Sequence, residues 1–498
     1  MKRFHLRLAV LSILLIACSL PATASAADSL RTTFLLSRST TGGVPNGPSR
    51  NGAISNDQRI ARVTAYESDA TNIVAGDTNG VTDVFMVRRA TPWGDNGTPW
   101  LMSATELVST GSGGAPANGP SYKPAIDGSS HNSPSCVAFV SEASNLVRGD
   151  TNGVADAFVR DVRGGKITRV SVNSAGRQAN GPTFEVSVSG YCRRIAFTST
   201  ATNLGFKRAG KLAWRSARMA GSAGGFRQVY VHVRSGKGMD KAFKGMTFLA
   251  SSNDHGRPGN RDSFEPSFAR AGKAVVFTSN ATNLDRGDRT SRPDVYERTF
   301  NRHYAHIHGK GVQSLKFDTR LVSAAGRKSG NGPSQHASAT DDGRYVAYET
   351  TATNLLPGDT NGVSDIARAD MKRHRVTQQW VSRSYLGIGN GPSNHPVVSG
   401  AGVFVLFDSE ATNLKASAAI ANDVNGVRDL FLWNAPTHNV SLESRSWDNG
   451  YLKRSSAHPA SSSRGNYVLF ESAAAGIDEL ISNLTGVQQI YLRYLGPK

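Results

Sequence analysis

The chain has 498 residues, with 57 Lys and Arg against 38 Asp and Glu, giving a formal net charge of +19. Hydrophobic residues make up 38%, which is enough for a core and excludes both a disordered chain and a multi-span membrane protein. Glycine is abundant (51) without a three-residue period, which excludes a collagen-like fibre and suits many short strands joined by tight turns.

Residues 1–7 carry Lys2, Arg3 and Arg7 and no acid, and an apolar run covers 8–17. That run is too short to cross a bilayer core of about 30 Å as a helix. Pro21 and then Ala24-Ser25-Ala26 supply a break and a small-residue cleavage site. Residues 1–26 therefore read as a secretory signal, and the mature chain as periplasmic or secreted. Residues 15–18 (LIAC) also form a lipobox, so a lipoprotein anchored through Cys18 is the minority alternative. No later segment reaches 18 apolar residues. Soluble processing leaves Cys136 and Cys192, one and three residues before Val137 and Ile195 of equivalent strands. Strand parity then points both to the same face of neighbouring units. Neighbours meet through opposite faces, so two free buried thiols are expected rather than a disulfide.

Self-similarity dominates the remainder of the chain. Residues 66–73 (YESDATNI) recur at 139–146, 197–204, 277–284, 348–355, 407–414 and, decayed, 470–477 (FESAAAGI). Each copy comes after an N-G-P turn: Asn46-Gly47-Pro48, Asn118-Gly119-Pro120, Asn180-Gly181-Pro182, Asn331-Gly332-Pro333 and Asn390-Gly391-Pro392, with worn forms at Asn260 and Asn449-Gly450. Asn and Gly tolerate positive φ and Pro presets φ, so these read as turns with a conformational reason. Around them each unit supplies four short strands and no helical period, which describes a propeller blade. The expected fold is all-β: a seven-bladed β-propeller of four-stranded blades over 33–498. The blades span about 46–109, 118–172, 180–251, 260–323, 331–382, 390–443 and 449–494. The segment 33–38 matches a fourth strand and is expected to complete the last blade, which removes an open edge.

The strand at 342–348 (DGRYVAY), the A-T-N-L turns and the D-V-F or D-V-Y third strands resemble the TolB-like β-propeller repeat family of exported bacterial proteins. The resemblance covers residues 33–498 and implies the propeller fold. It does not extend to the N-terminal α/β domain of TolB itself, because the blades start almost directly after the signal, and this argues against a Tol–Pal role. Such repeats host scaffolds, binders and enzymes alike.

Alternating strand direction puts the N-G-P turns and the loops between second and third strands on one face, the expected binding face. Those loops carry a G-D-T-N-G-V-x-D pattern: Asp77/Asn79/Asp83, Asp150/Asn152/Asp156, Asp359/Asn361/Asp365 and, in related form, Asp423/Asn425/Asp429. Oxygen ligands at that spacing suit Ca²⁺, although the acid near position 12 of an EF-hand is missing. Equally, Asp and Asn side chains can bond nearby amides as plain turn structure. Ca²⁺ is thus the one cofactor that the pattern suggests.

The third unit replaces this loop with a basic insertion holding Lys207, Arg208, Lys211, Arg215 and Arg218, with Trp214 available for stacking. These form a candidate surface for phosphate or carboxylate groups, with a mobile solvated loop as the alternative. His336, His395 and His458 occupy first-strand positions of three successive units and should approach the channel together. His303, His306 and His308 read as part of a polar hairpin, and Trp93 and Trp100 as cover for a blade edge.

No G-x-S-x-G elbow is present, and no room remains after the seventh unit for a hydrolase domain. The reading is a monomeric exported scaffold for an envelope protein or anionic glycan, with nucleic acid not expected as a partner. A metal-dependent lyase of the oligouronide type, which some TolB-like propellers resemble, and a calcium-stabilised structural protein are the alternatives.

Overall fold

The computed structural model describes residues 32–496 apart from 58–59, 91–99, 129–132, 205–224, 235–243, 308–309, 373–374, 416–422, 424, 449, 482 and 484–485. The side chains of 112 and 301–315 are likewise outside the description. The leader, Cys18 and the basic cluster 207–218 therefore fall outside the described residues, as does Trp93. Seven four-stranded antiparallel sheets form the blades of a β-propeller. In blade 1 the strands are Ser49–Ile54, Val63–Ser68, Asp83–Arg89 and Met102–Leu107, counted outward from the channel.

The two middle strands of a blade are covered on both faces, and their sequences show it. Val63–Ser68 and Gln228–Val233 are buried at every position. Stacked aromatic pairs join second to third strands, as in Tyr66–Phe85 (5.7 Å) and Phe277–Tyr296 (5.9 Å). Such cross-strand pairs add to the apolar area that holds a sheet. The cores lie between blades: Tyr66 and Phe85 of blade 1 pack in one cluster with Leu469, Ile490 and Leu492 of blade 7.

Ring closure follows the expected plan. Thr32–Leu35 pairs antiparallel with Gln489–Tyr494, with Phe34 opposite Leu492. The Leu35 amide also donates to Asp478 Oδ2 at 2.7 Å. Trp100 is buried, stacks near Phe34 at 6.2 Å and donates its indole N–H to the Ala61 carbonyl at 2.6 Å, so it does cover a blade edge. Blade 4 differs from the others in carrying a long arm, Asp294–Ile307 against Lys310–Leu321, which holds His303 and His306 on its backbone ladder.

Two sequence expectations fail. Cys136 and Cys192 form a disulfide, with Cα atoms 5.9 Å apart. Cys136 does start a strand, but Cys192 lies in a 3-10 turn, Gly190–Cys192, where Tyr191 and Cys192 have φ of 63° and 51°. A left-handed turn breaks the strand parity on which the free-thiol expectation rested. The N-G-P glycines also have a different reason from the expected one. None of Gly47, Gly119, Gly181, Gly332 and Gly391 is among the positive-φ glycines. They are small because each lies on the A-T-N turn: a Cβ on Gly332 would come 2.7 Å from the Thr351 carbonyl carbon, and one on Gly47 would come 2.8 Å from the Ala70 amide nitrogen.

Leu35→Ala is expected to destabilise the protein by about 2–5 kcal/mol, the range for emptying a buried leucine site, measured by denaturant unfolding. Reducing the disulfide should lower stability by about 2–5 kcal/mol. Thermal melts with and without reductant check this, and thiol titration of the unfolded mature chain should find no free cysteine.

Candidate functional site

Each first strand carries a β-bulge, at its third residue in six blades and at Phe184, just before the third residue, in blade 3. The third residues are Asn51, Lys123, Glu185, Glu265, His336, His395 and His458. All but Glu185 sit at φ between 48° and 54°. A non-glycine residue there is strained and needs support from its surroundings. The support comes from carboxylates one blade back. The Asn51 amide donates to Glu471 Oε1 (2.6 Å), that of Lys123 to Glu67 Oε2 (2.6 Å) and that of Glu265 to Glu185 Oε2 (2.9 Å). The His336 amide donates to Glu265 Oε2 (3.0 Å) and the His395 amide to Glu349 Oε2 (3.3 Å). Six blades thus bring one acid each to the ring: Glu67, Glu185, Glu265, Glu349, Asp408 and Glu471. In blades 3 and 4 the acid moves to the first strand, and Thr198 or Thr278 on the second strand donates to it.

The three histidines meet, as their shared position predicts. Ring centroids lie 4.8 Å apart for His336–His395 and 4.4 Å for His395–His458. His336 stands 3.0 Å from Glu265 through Nε2 and 3.0 Å from Glu349 through Nδ1. His395 Nδ1 lies 2.9 Å from Asp408 Oδ1, and His458 Nδ1 lies 3.0 Å from Glu471 Oε2. Burial works against the His336 charge, but its two carboxylates overcome this and raise its pKa to about 10. The bond to Glu471 likewise raises His458. Burial opposes ionisation of Glu265 and Glu349, yet His336 holds both below the usual carboxylate value. Arg50 Nε (2.8 Å from Glu67) and Lys123 Nζ (3.6 Å from Glu185) add positive charge to the rim.

Below this rim is a cavity of about 310 Å³ walled by small and apolar residues such as Ala53, Ala125, Ala337 and Val397. Its far end is floored by the turns between first and second strands. Gly190 N bonds the Arg270 carbonyl, Ala271 N that of Asp341, Asp341 N that of Gly400 and Gly400 N that of Ser463, all at 2.8–2.9 Å. Asn56 Nδ2 of blade 1 reaches Asp341 Oδ1 of blade 5 at 2.8 Å. A Cβ on Gly128 would come 2.3 Å from the Asn56 amide nitrogen, so the floor is closely packed. The channel is a cup, with the histidine rim at the N-G-P end: Ser49 beside the N-G-P turn pairs with Ser68 before the A-T-N loop.

On that same face the two turn motifs clamp each other. The Asn331 amide donates to Asn354 Oδ1 (2.9 Å), and Asn331 Nδ2 donates to Thr353 Oγ1 (2.8 Å). Equivalent pairs recur at Asn46/Asn72 and Asn390/Asn413. The G-D-T-N-G-V-x-D residues stay each within their own blade. Asn79, Asn152, Asn361 and Asn425 donate to Asp83, Asp156, Asp365 and Asp429 and to a carbonyl of the next linker. Burial pushes Asp83 and Asp365 up to about 6, with Asp77 and Asp359 adding repulsion. Among the described residues no three His, Cys, Asp or Glu form a metal-holding group. Lys207, Arg208, Lys211, Trp214, Arg215 and Arg218 lie outside the described residues.

The carboxylate ring and the floor were missed by sequence reading. The signal was there: an acid comes directly after the second-strand aromatic in Tyr66-Glu67, Tyr348-Glu349, Phe407-Asp408 and Phe470-Glu471. His336→Gln should lower stability at pH 7 by about 1.5–3 kcal/mol, the worth of hydrogen bonds to a charged group. A histidine raised above its ordinary value of 6.5 contributes fully below that pH and loses its contribution as pH rises through about 10. The lowered Glu265 and Glu349 contribute above their ordinary value of 4.5 and lose this as pH falls. Melting curves of both proteins should therefore converge above pH 10, and a gap unchanged at pH 11 would contradict the ion-pair account.

The chain matches no protein-family model and no curated protein. Among solved structures it is similar to TolB from Acinetobacter baumannii, at 13% identity and TM-score 0.33, over 69% of this chain and 61% of that one. It is similar to a putative TolB from Agrobacterium tumefaciens at 13% identity and TM-score 0.34, over 78% and 94% of the two chains. It is also similar to an acylaminoacyl peptidase from Pyrococcus horikoshii at 10% identity and TM-score 0.42, over 90% of this chain and 52% of that one. The match thus spans less than two thirds of the Acinetobacter protein and about half of the peptidase. The chain is a seven-bladed β-propeller similar to TolB structures, and these are likenesses of fold alone.

Proposed function

We propose that this chain is an exported binding scaffold, and that an envelope protein or an anionic glycan docks on the face bearing the N-G-P turns. The observation that carries this reading is the cup: a cavity of about 310 Å³, floored at one end and rimmed by polar groups at the other. Small apolar walls with a few placed polar groups are the usual make-up of a binding cleft. Lys123 and His458 keep 46% and 49% of their side chains accessible at the rim. The basic insertion that holds Lys207 and Arg208, between the second and third strands of blade 3 in sequence, suits an anionic partner. Export agrees with the signal-like leader, and no helix among the described residues is long and apolar enough to cross a membrane.

A second reading, the metal-dependent lyase, draws on one feature. Asp408 and Glu471 hold Nδ1 of His395 and His458, as carboxylates hold histidines in many metal sites. It predicts a bound transition metal that is lost in H336A or H395A.

The two are separated by capture from cell envelopes with elemental analysis of the same sample. Serine at Lys207, Arg208, Lys211, Arg215 and Arg218, or Ala125→Trp within the cup, should weaken capture about tenfold or more, a loss of about 1.4 kcal/mol. Capture should also fall with salt. Capture unchanged by both variants would refute the docking face, and a transition metal in stoichiometric amount would favour the lyase.

A further inference from the structure

In five blades the loop between second and third strands ends on the aspartate that begins the third strand, and in four of these, at Asp83, Asp156, Asp365 and Asp429, the loop also carries an asparagine. That aspartate is satisfied. Its Oδ1 accepts a serine hydroxyl (Ser109, Ser171, Ser382 or Ser444), and its Oδ2 accepts the loop asparagine. The aspartate six places earlier is not satisfied in blades 1 and 5. Both carboxylate oxygens of Asp77 and both of Asp359 are buried without a hydrogen-bond partner. The Asn79 and Asn361 amides face Asp77 and Asp359 and favour their charge, though at a geometry too poor for a full hydrogen bond, and burial still raises both pKa values. The two aspartates are only 5% and 8% exposed. A buried carboxylate with no full hydrogen bond and no counter-charge is costly for a fold to hold.

The other blades show what this position requires. In blade 2, Arg169 Nη1 lies 2.9 Å from Asp150 Oδ1 and 3.2 Å from Asp156 Oδ2, while Nη2 donates to the Gly149 carbonyl at 3.2 Å. A guanidinium is thus built in between the two carboxylates. In blade 4 the Tyr296 hydroxyl donates to Asp288 Oδ2, and the Thr290 amide donates to Asp288 Oδ1 at 2.8 Å. In blades 3 and 7 the strand-leading aspartate is replaced by neutral Gln228 and Gln489. Each accepts a serine hydroxyl through its oxygen and donates to a linker carbonyl through its nitrogen. Blade 6 is intermediate, with the Asn425 amide donating to Asp423 Oδ1 at 3.3 Å. Blades 2, 3, 4 and 7 thus either compensate the charge or remove it. Blades 1 and 5 do neither: the register of Arg169 is held by Leu107 and Trp380, and that of Tyr296 by Phe85 and Ala367.

We propose that blades 1 and 5 each bind one Ca²⁺ between their two loop carboxylates, at the place that the Arg169 guanidinium takes in blade 2. The oxygens that Arg169 touches have counterparts in Asp77, Asp83 and the Gly76 carbonyl of blade 1, and in Asp359, Asp365 and the Gly358 carbonyl of blade 5. These are hard donors, and Ca²⁺ takes 6–8 oxygens with water completing the shell. The site ties the second strand, the third strand and the linker face of one blade together, so its ligand stabilises the folded state by linkage.

The test uses the mature chain with its disulfide intact, stripped with EDTA and titrated with CaCl2 by calorimetry, alongside thermal melts. D77N and D359N should each lose one equivalent relative to the parent, and the double variant two. L107R, which copies blade 2 and leaves both acids in place, should also lose one equivalent yet hold its melting temperature in EDTA. R169L should melt lower in EDTA, gain one equivalent and recover in CaCl2. An unchanged stoichiometry in both D77N and L107R would overturn the proposal. So would CaCl2 that gives neither heat nor a rise in melting temperature with the parent chain.

Discussion

The ring closes through four residues. Thr32–Leu35 is the outer strand of a sheet whose other three strands come from the far end of the chain. Without it, Gln489–Tyr494 would present a bare edge, and the hydrophobic cluster between blades 7 and 1 would lose Phe34 and Leu36. The channel depends on that closure. The rim, the floor and the cup exist only if blade 1 stands beside blade 7, because Asn51 takes its supporting carboxylate from Glu471. The contacts made here, Ser37 with Gln489 and Leu35 with Asp478, join residues more than 440 apart in sequence.

Closure also explains why strain collects at the channel. Seven inner strands converge on one axis, and each bulges near its third residue. Six of those residues adopt a left-handed backbone. A carboxylate from the preceding blade accepts the amide in five of the seven cases. Three of them, Glu265, Glu349 and Glu471, also pair with the histidines. One set of acids therefore serves both the ring's geometry and the protonation of its rim, and substitutions at Glu265 or Glu349 would disturb both together.

Much of this was legible in the residues. The A-T-N-L repeats and N-G-P turns counted the blades, because their spacing depends on local turn chemistry and on aromatic strands that recur in order. The meeting of His336, His395 and His458 was legible for the same reason: equivalent positions in adjacent repeats must be neighbours around an axis. The cysteine pair was not. Its geometry depends on a left-handed turn at Tyr191–Cys192 that no periodicity announces. The role of the N-G-P glycines was hidden because a close approach between two turns leaves no mark on either turn alone. Asp77 and Asp150 stand in the same motif, yet only Asp150 meets Arg169, and that pairing depends on strand register across the blade.

The amino-acid order by itself determined the fold class, the number of blades and the face on which the linker turns gather. These come from short-range patterns repeated along the chain. Only the tertiary structure decided that the channel is floored, that a disulfide joins blades 2 and 3, and which acids lack a counter-charge. Those outcomes rest on contacts between segments far apart in sequence, whose distances are set by how the blades twist and pack around a common axis.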